Sequence, residues 1–168
     1  MSWQENRSER IREIMKLNKS FEQATYVITM LALQEGHQPV KSHILSQILQ
    51  VSDSYLKKIL MKLAKAGLIS SNASKTGGYQ LAKSVEAISL KDVFFALELQ
   101  ADVLDFKHMA HQIYDDEEHV CQVENRVKTT LENGLAAFYS QLDRLKISDL
   151  LQEEGYQNGA IDWNQRVK

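Results

Sequence analysis

Residues 40–83, VKSHILSQILQVSDSYLKKILMKLAKAGLISSNASKTGGYQLAK, constrain this chain more than any other stretch. Two short apolar-periodic runs meet at Gln50-Val51-Ser52. The second run stops at Gly67, and a segment containing Gly77-Gly78 follows with the pattern of a hairpin. Helix, turn, helix, wing is an order of elements that reads DNA; it is not a catalytic arrangement.

Each element has a local cause. Ile44, Leu45, Ile48 and Leu49 make one apolar face of a short helix after the polar Lys41-Ser42. Ser52 is a good N-cap for the next helix. There Leu56, Ile59, Leu60 and Leu63 form the buried face, while Lys58, Lys62 and Lys65 fall on the other side at spacings of four and three. Gly67 supplies the left-handed stop. Leu68-Ile69-Ser70 reads as a short strand, residues 72–78 as a flexible basic loop, and Tyr79-Gln80-Leu81 as the returning strand. Taken alone, the lysines read equally well as a solvated face. The hairpin directly after the helix favours DNA.

These residues resemble the Rrf-two transcription regulators of the IscR/NsrR type. The family's recognition-helix run is matched by Ser52, Ser54, Tyr55, Leu56, Ile59, Leu60, Leu63, Ala66, Gly67, Leu68 and Ile69. Its wing is matched by Gly77, Gly78, Tyr79, Leu81 and Ala82, with Lys83 as the basic end. Ile88-Ser89-Leu90-Lys91-Asp92-Val93 is similar to the helix that follows, and Ile147-Ser148-Asp149-Leu150-Leu151 to the family's closing motif. The resemblance covers about residues 15–151. It implies a mainly α fold with a small β-wing: a winged helix-turn-helix domain plus a long C-terminal dimerisation helix. Residues 1–14 are then an extension, 15–98 the DNA-binding domain, 99–119 a sensor-type loop, 120–151 the dimerisation helix with its following segment, and 152–168 a tail.

The charge distribution agrees. Residues 1–85 carry 12 Lys/Arg against 6 Asp/Glu, and residues 86–168 carry 8 against 16, so the formal charge of −2 hides a basic front half and an acidic back half. Such a chain touches phosphate with one end. No apolar stretch approaches the roughly 20 residues of a membrane helix, and the start, MSWQENRSERIREI, lacks the apolar core of a signal peptide. The single cysteine, Cys121, excludes an internal disulfide framework and suits a reducing cytoplasm.

Two readings of the start remain open: a short helix capped by Ser8, with Ile11, Ile14 and Leu17 on one side, or a leader from an upstream start codon. From Ser20 the pattern sharpens, with Phe21, Ala24, Ile28 and Leu31 on a core helix ending near Gly36 and Pro39 in the loop after it. Ser89 and Asp92 have the shape of a capping box, opening a helix to about Glu98. Residues 102–118 read as polar and irregular, and the run Asp115, Asp116, Glu117, Glu118 as a charged loop. A long helix then begins near Val120. Its apolar residues Val120, Val123, Val127, Leu131, Leu135, Phe138, Leu142 and Leu145 recur every three or four positions, nearly a coiled-coil seam. About 25 helical residues span about 37 Å, which favours a dimerisation helix built on Val123, Val127, Leu131, Leu135, Phe138 and Leu142 over packing within one chain. The tail carries Gly155, Tyr156, Gly159 and Trp163; a loose tail and one that packs through its aromatics are both open.

The expected partners are double-stranded DNA, a second copy of the chain, and a small-molecule or protein effector, the former bound between the winged domain and the long helix. Ser52, Ser54, Tyr55 and Lys57 stand at the helix start, facing base edges or the nearest phosphates. Relatives often carry Glu where Lys57 stands. Lys58, Lys62, Lys75 and Lys83 are placed for phosphates. Thr76 and Tyr79 belong to the wing, with Gly77-Gly78 allowing close approach to the minor groove. The expected activity is that of a homodimeric repressor on a partly palindromic operator. The alternatives are a regulator switched by oxidation of Cys121 and a dimeric adaptor that no longer binds DNA.

No cofactor is expected. Cluster-bearing members of the family carry three cysteines in the sensor loop, and an iron–sulfur cluster takes four ligands, chiefly thiolates. Here Cys121 has only His108, His111 and His119 for company, which read as solvated loop histidines more readily than as a zinc site. Cys121-Gln122-Val123 resembles the Cys-Pro-Val-Gly helix start of cluster-free relatives, with Gln122 and Glu124 in place of Pro and Gly. A thiol at a helix start gains reactivity, but four upstream carboxylates oppose a thiolate. Nor does an enzyme fit: there is no phosphate-cradling glycine loop, and no nucleophile, base and orienting group in a recognisable motif.

Overall fold

The structure is a computed structural model that describes residues 19–72, 77–100 and 109–167. Residues 1–14, Lys75, Thr76 and His108 lie outside these.

The winged domain forms as its sequence dictates. Helix α1 (Lys19–Leu33) buries Phe21, Ala24, Val27, Ile28 and Leu31. Its regular part stops at Leu33; Gly36, at φ +58°, lies in a single 3-10 turn beyond it (Glu35–His37). Helix α2 (Ser42–Ile48) buries Ile44 and Leu45. Helix α3 (Asp53–Lys65) starts where the Ser52 hydroxyl accepts from the Tyr55 N–H at 3.3 Å and buries Leu56, Ile59, Leu60 and Leu63. Gly67, at φ +70°, turns the chain out of it. Each of these fully buried leucines and isoleucines contributes about 1.5–3 kcal/mol by leaving water.

Strands β1 (Ile69–Asn72) and β2 (Gly78–Leu81) pair antiparallel, Ile69 opposite Leu81 and Asn72 opposite Gly78. Val40 joins β2 at the side away from β1: its N–H donates to the Tyr79 carbonyl at 2.9 Å and its carbonyl accepts from the Tyr79 N–H at 2.8 Å. A Cβ at Gly78 would sit 2.6 Å from the Val40 carbonyl oxygen. The missing side chain at 78 therefore serves an internal backbone contact.

Helix α4 (Leu90–Ala96) opens on the expected capping box, with Asp92 N–H to Ser89 Oγ at 3.1 Å and Ser89 N–H to Asp92 Oδ2 at 2.8 Å. Helix α5 (Glu117–Arg144) begins three residues before Val120. The acidic run is the reason. Asp116 accepts from the His119 N–H at 3.0 Å as the N-cap, and Glu117 and Glu118 lie in the first turn, where negative charge suits the helix dipole. The run is thus a helix start and not only a charged loop.

At 28 residues, α5 is about 42 Å long, and its apolar stripe divides in two. Phe138 and Leu142, near its C-terminus, pack on the core of their own chain, where Phe94 meets Phe21 and Phe138 in T-shaped contacts at 5.8 and 5.7 Å. Leu135 is half-buried. Val120 is buried; Val123, Val127 and Leu131 remain 42, 43 and 41% exposed. Packing within the chain thus covers Val120, Phe138 and Leu142 and leaves Val123, Val127, Leu131 and, at the helix end, Leu145 in part exposed. After α5 the chain folds back: Ile147 N–H donates to the Ile88 carbonyl at 2.9 Å, and Asp149 caps its own turn by accepting from the Lys146 N–H at 2.8 Å.

The tail packs, by way of its aromatic residues. Helices α6 (Glu153–Gln157) and α7 (Trp163–Arg166) lie against α1 and α2 respectively, with Trp163 buried and Arg166 stacked 5.2 Å over its ring. Among the described residues no helix is long and apolar enough to cross a membrane.

Candidate nucleic-acid interface

The start of α3 presents the expected residues to solvent. Ser52, Ser54, Tyr55, Lys57 and Lys58 are all exposed, because Leu56, Ile59 and Leu60 take the opposite face into the core. Lys57 does not stand alone. Its Nζ lies 2.7 Å from Asp53 Oδ2, one turn earlier. The hydrogen bond from Lys57 holds the Asp53 carboxyl below the usual range, and the same contact raises the Lys57 ammonium. A base or phosphate reached by Lys57 must compete with this pair.

Lys62 is placed differently from its neighbours. Its Nζ donates to the Leu97 carbonyl oxygen at 3.1 Å and pairs with Glu98 Oε2 at 3.1 Å; Lys65 reaches Glu98 Oε1 at 3.6 Å. Glu98 itself has φ +60°, an uncommon conformation for a side-chain-bearing residue. The two lysines tie the end of α3 to the end of α4, so Lys62 is engaged within the fold where sequence spacing placed it for phosphates.

In the wing, Lys83 is exposed, Gly77 is buried, and Tyr79 is half-buried against the core. Tyr79 thus meets the protein interior with its ring and Val40 with its backbone. Lys75 and Thr76 lie outside the described residues.

On α5, Val123, Arg126, Val127, Thr130 and Leu131 line a shallow groove of about 330 Å³. Cys121 is exposed one turn into the same helix. His119 is exposed, and His111 Nε2 lies 3.5 Å from Glu124 Oε2. Sequence reasoning missed a second feature, a cavity of about 550 Å³ between the wing root and the tail that includes Tyr156 and Gln157. It lies away from the long helix. Two distant segments meet only in the fold to make it, so no local pattern announces it.

The chain matches the model of the Rrf2 family, described as iron-dependent transcriptional regulators, over residues 17–153. It is 31% identical to YffB of Lactococcus lactis, which carries the name of an HTH-type transcriptional regulator, over 88% of this chain and 96% of that protein. To protein rrf2 of Nitratidesulfovibrio vulgaris it is also 31% identical, over 83 and 89%. Among solved structures it resembles IscR of T. potens (TM-score 0.60, 22% identity, 90% of this chain and 96% of that one). It also resembles CymR, the global cysteine regulator of B. subtilis (TM-score 0.55, 22% identity, 81 and 95%). At these identities the structures show a shared fold.

The family's description names iron, and an iron–sulfur cluster would need thiolates that this sequence lacks. A cluster takes several thiolates held close together, and this chain has one cysteine, exposed at a helix start. Among the described residues no three His, Cys, Asp or Glu side chains gather as a metal-holding group. The residues do not fit an iron–sulfur cluster. With residues 17–153 matched by the family model and two relatives above 30% identity over most of both chains, the chain belongs to the Rrf2 family of transcriptional regulators.

Proposed function

We propose that the protein is a homodimeric repressor that occupies a partly palindromic operator and does so without an iron–sulfur cluster. The observation that carries the reading is the exposed row Ser52, Ser54, Tyr55, Lys57 and Lys58 at the start of α3, set beside a basic wing end at Lys83. Two such helices related by a twofold axis enter successive major grooves on one face of the duplex, about 34 Å or a multiple of it apart. Ser52, Ser54, Tyr55 and Lys57 face base edges and the nearest phosphates; Lys58, Lys75 and Lys83 contact phosphates, with Thr76, Gly77, Gly78 and Tyr79 shaping the wing. Lys62 serves mainly to brace α3.

The dimer forms through α5. Val123, Val127 and Leu131 are a continuous exposed apolar strip of the kind that marks an interaction surface, and Leu135 continues it. Phe138 and Leu142 hold the helix to its own domain. Binding of DNA by two linked heads then blocks access to the site, which is repression by occupancy. Cys121 provides a second reading, a redox input at the base of the dimer helix, supported by its exposure and opposed by the acidic residues just before it.

The test is fluorescence anisotropy with genomic fragments selected by the purified protein, alongside sedimentation. The expected outcome is a dimer at micromolar concentration that binds a sequence with inverted half-sites, colourless when prepared anaerobically and unaffected in affinity by Cys121→Ser. A dimer that binds no genomic fragment would favour the dimeric adaptor. DNA release on mild peroxide, abolished by Cys121→Ser, would favour the redox reading.

A further inference from the structure

The cavity at the wing root is assembled from both ends of the chain. One wall is the end of α1, with Leu31 and Ala32. The opposite wall is the wing and its exit, with Leu81, Lys83, Val85 and Glu86, and the tail's Tyr156 closes one side. Its volume, about 550 Å³, lies within the range of small-molecule sites, roughly 300–1,000 Å³.

The tail is fixed in place over this cavity. Gly36 N–H donates to the Asn158 carbonyl at 3.1 Å, His37 Nε2 donates to the Gln157 carbonyl at 3.1 Å, and Gly155 lies within 3.2 Å of the Leu33 side chain if given a Cβ. Tyr156 and Gln157 lie beyond the residues matched by the family model, which end at 153. This wall belongs to the chain's own tail.

Its lining carries polar groups of both signs beside apolar side chains. Glu86 accepts from its own backbone N–H and from the Ser84 and Tyr156 hydroxyls, contacts that hold its carboxyl below the usual range and keep it ionised at neutral pH. Lys83, three residues earlier, is exposed and has no ion-pair partner among the described residues. Leu81 supplies most of the apolar surface, with the narrow edges that the buried Leu31 and Val85 leave uncovered.

We infer that this pocket binds a free amino acid, its carboxylate on Lys83, its ammonium on Glu86 and its side chain against Leu81 and the edges of Leu31 and Val85. A cation and an anion beside apolar surface suit a small zwitterion, because only a ligand that carries both charges meets both groups. Coupling to DNA rests on the wing's proposed role at phosphates: a carboxylate bound at Lys83 takes that ammonium away from the backbone, so the bound amino acid weakens DNA binding.

Calorimetry on the full chain without DNA, with each common L-amino acid tested singly at about 5 mM, detects a millimolar Kd. At least one amino acid with an apolar side chain should bind. For that amino acid, the N-acetyl and the amide derivatives should each bind about tenfold more weakly, since each lacks one charged contact. Glu86→Gln should weaken the amino acid and its amide while sparing the N-acetyl form; Lys83→Met should do the reverse, weakening the N-acetyl form and sparing the amide. Both side chains are exposed, and a Gln amide oxygen at 86 still accepts from the Ser84 and Tyr156 hydroxyls, so melting temperatures should change little and separate lost binding from lost folding. Absence of binding across the whole panel, or derivatives that bind as tightly as the free amino acid, overturns the site. An amino acid that binds in calorimetry yet leaves operator affinity unchanged overturns the coupling to DNA alone. A protein that binds the amino acid but no DNA fragment overturns the proposed function and leaves the site standing.

Discussion

The indole Nε1 of Trp163 donates a hydrogen bond to the Met30 carbonyl oxygen at 2.7 Å, across 133 residues of sequence. Met30 lies in the last turn of α1, where carbonyl groups lack intrahelical partners. The tail supplies others: Ala160 and Ile161 N–H groups both donate to the Leu33 carbonyl at 3.0 Å, and Trp163 N–H donates to the side chain of buried Gln34 at 3.1 Å. The C-terminal segment is therefore the cap of α1 as well as a wall of the wing-root cavity.

Replacing Trp163 tests that cap. Trp163→Phe keeps most of the apolar contact but leaves the Met30 carbonyl buried without a donor, a loss of about 1–2 kcal/mol. Trp163→Ala also removes the ring from its site and should cost about 3 kcal/mol or more. Urea denaturation monitored by circular dichroism measures both, with the order Phe milder than Ala.

Two glycines should respond in opposite directions. Gly159 has φ +73°, and a Cβ there would lie 2.0 Å from the Gln34 carbonyl oxygen, so Gly159→Ala should destabilise by at least about 2 kcal/mol. Gly134 lies inside α5, and a Cβ added there would meet nothing within 4 Å. Gly134→Ala should stabilise by up to about 1 kcal/mol through helix propensity. Equal melting temperatures for the two variants would contradict both expectations.

The divided stripe on α5 predicts two kinds of failure. Leu131→Asp places a charge on a side chain 41% exposed in the single chain; it should yield a folded monomer by sedimentation and circular dichroism. Phe138→Asp buries a charge among Phe94 and Tyr139 and should unfold the domain. A wild type that sediments as a monomer at micromolar concentration would remove the basis for the seam.

At the DNA face the lysines should separate by role. Lys58→Ala should weaken binding to all sequences and flatten the dependence of log affinity on log salt by about one unit. Lys62→Ala should change that slope less, because its ammonium is engaged by Glu98 and the Leu97 carbonyl. Matching slopes for the two variants would place Lys62 on phosphate after all.

Glu98 gives a pH dependence with a definite sign. Hydrogen bonding and charge from Lys62, then Lys65, hold its carboxyl below the usual range in the folded protein. A carboxyl depressed on folding contributes stability above its unfolded pKa, about 4.3, and loses it as pH falls through the folded value. Between pH 5 and pH 3, on the order of two units, the urea midpoint of the wild type should fall more steeply than that of Glu98→Gln. Surface exposure keeps the difference small.

Local chemistry alone determined the winged helix-turn-helix. Ser52, Gly67 and the Ser89–Asp92 box act through contacts within three or four residues, and the leucine periodicity of α3 states which face is buried. Those features are readable because their causes are adjacent in sequence. The length of the α5 stripe was readable too, but not its division, because whether Leu142 or Val127 is covered depends on where the core of the same chain ends. Asp116 as a helix cap was hidden inside a run that composition alone describes as charged. Lys62 shows the same limit: spacing puts it beside Lys58, while only the fold brings Glu98 and the Leu97 carbonyl to it. The cap on α1 and the wing-root cavity lie furthest from local pattern. Each requires residues more than a hundred positions apart, and the energy that joins Trp163 to Met30 exists only once both segments have left water together.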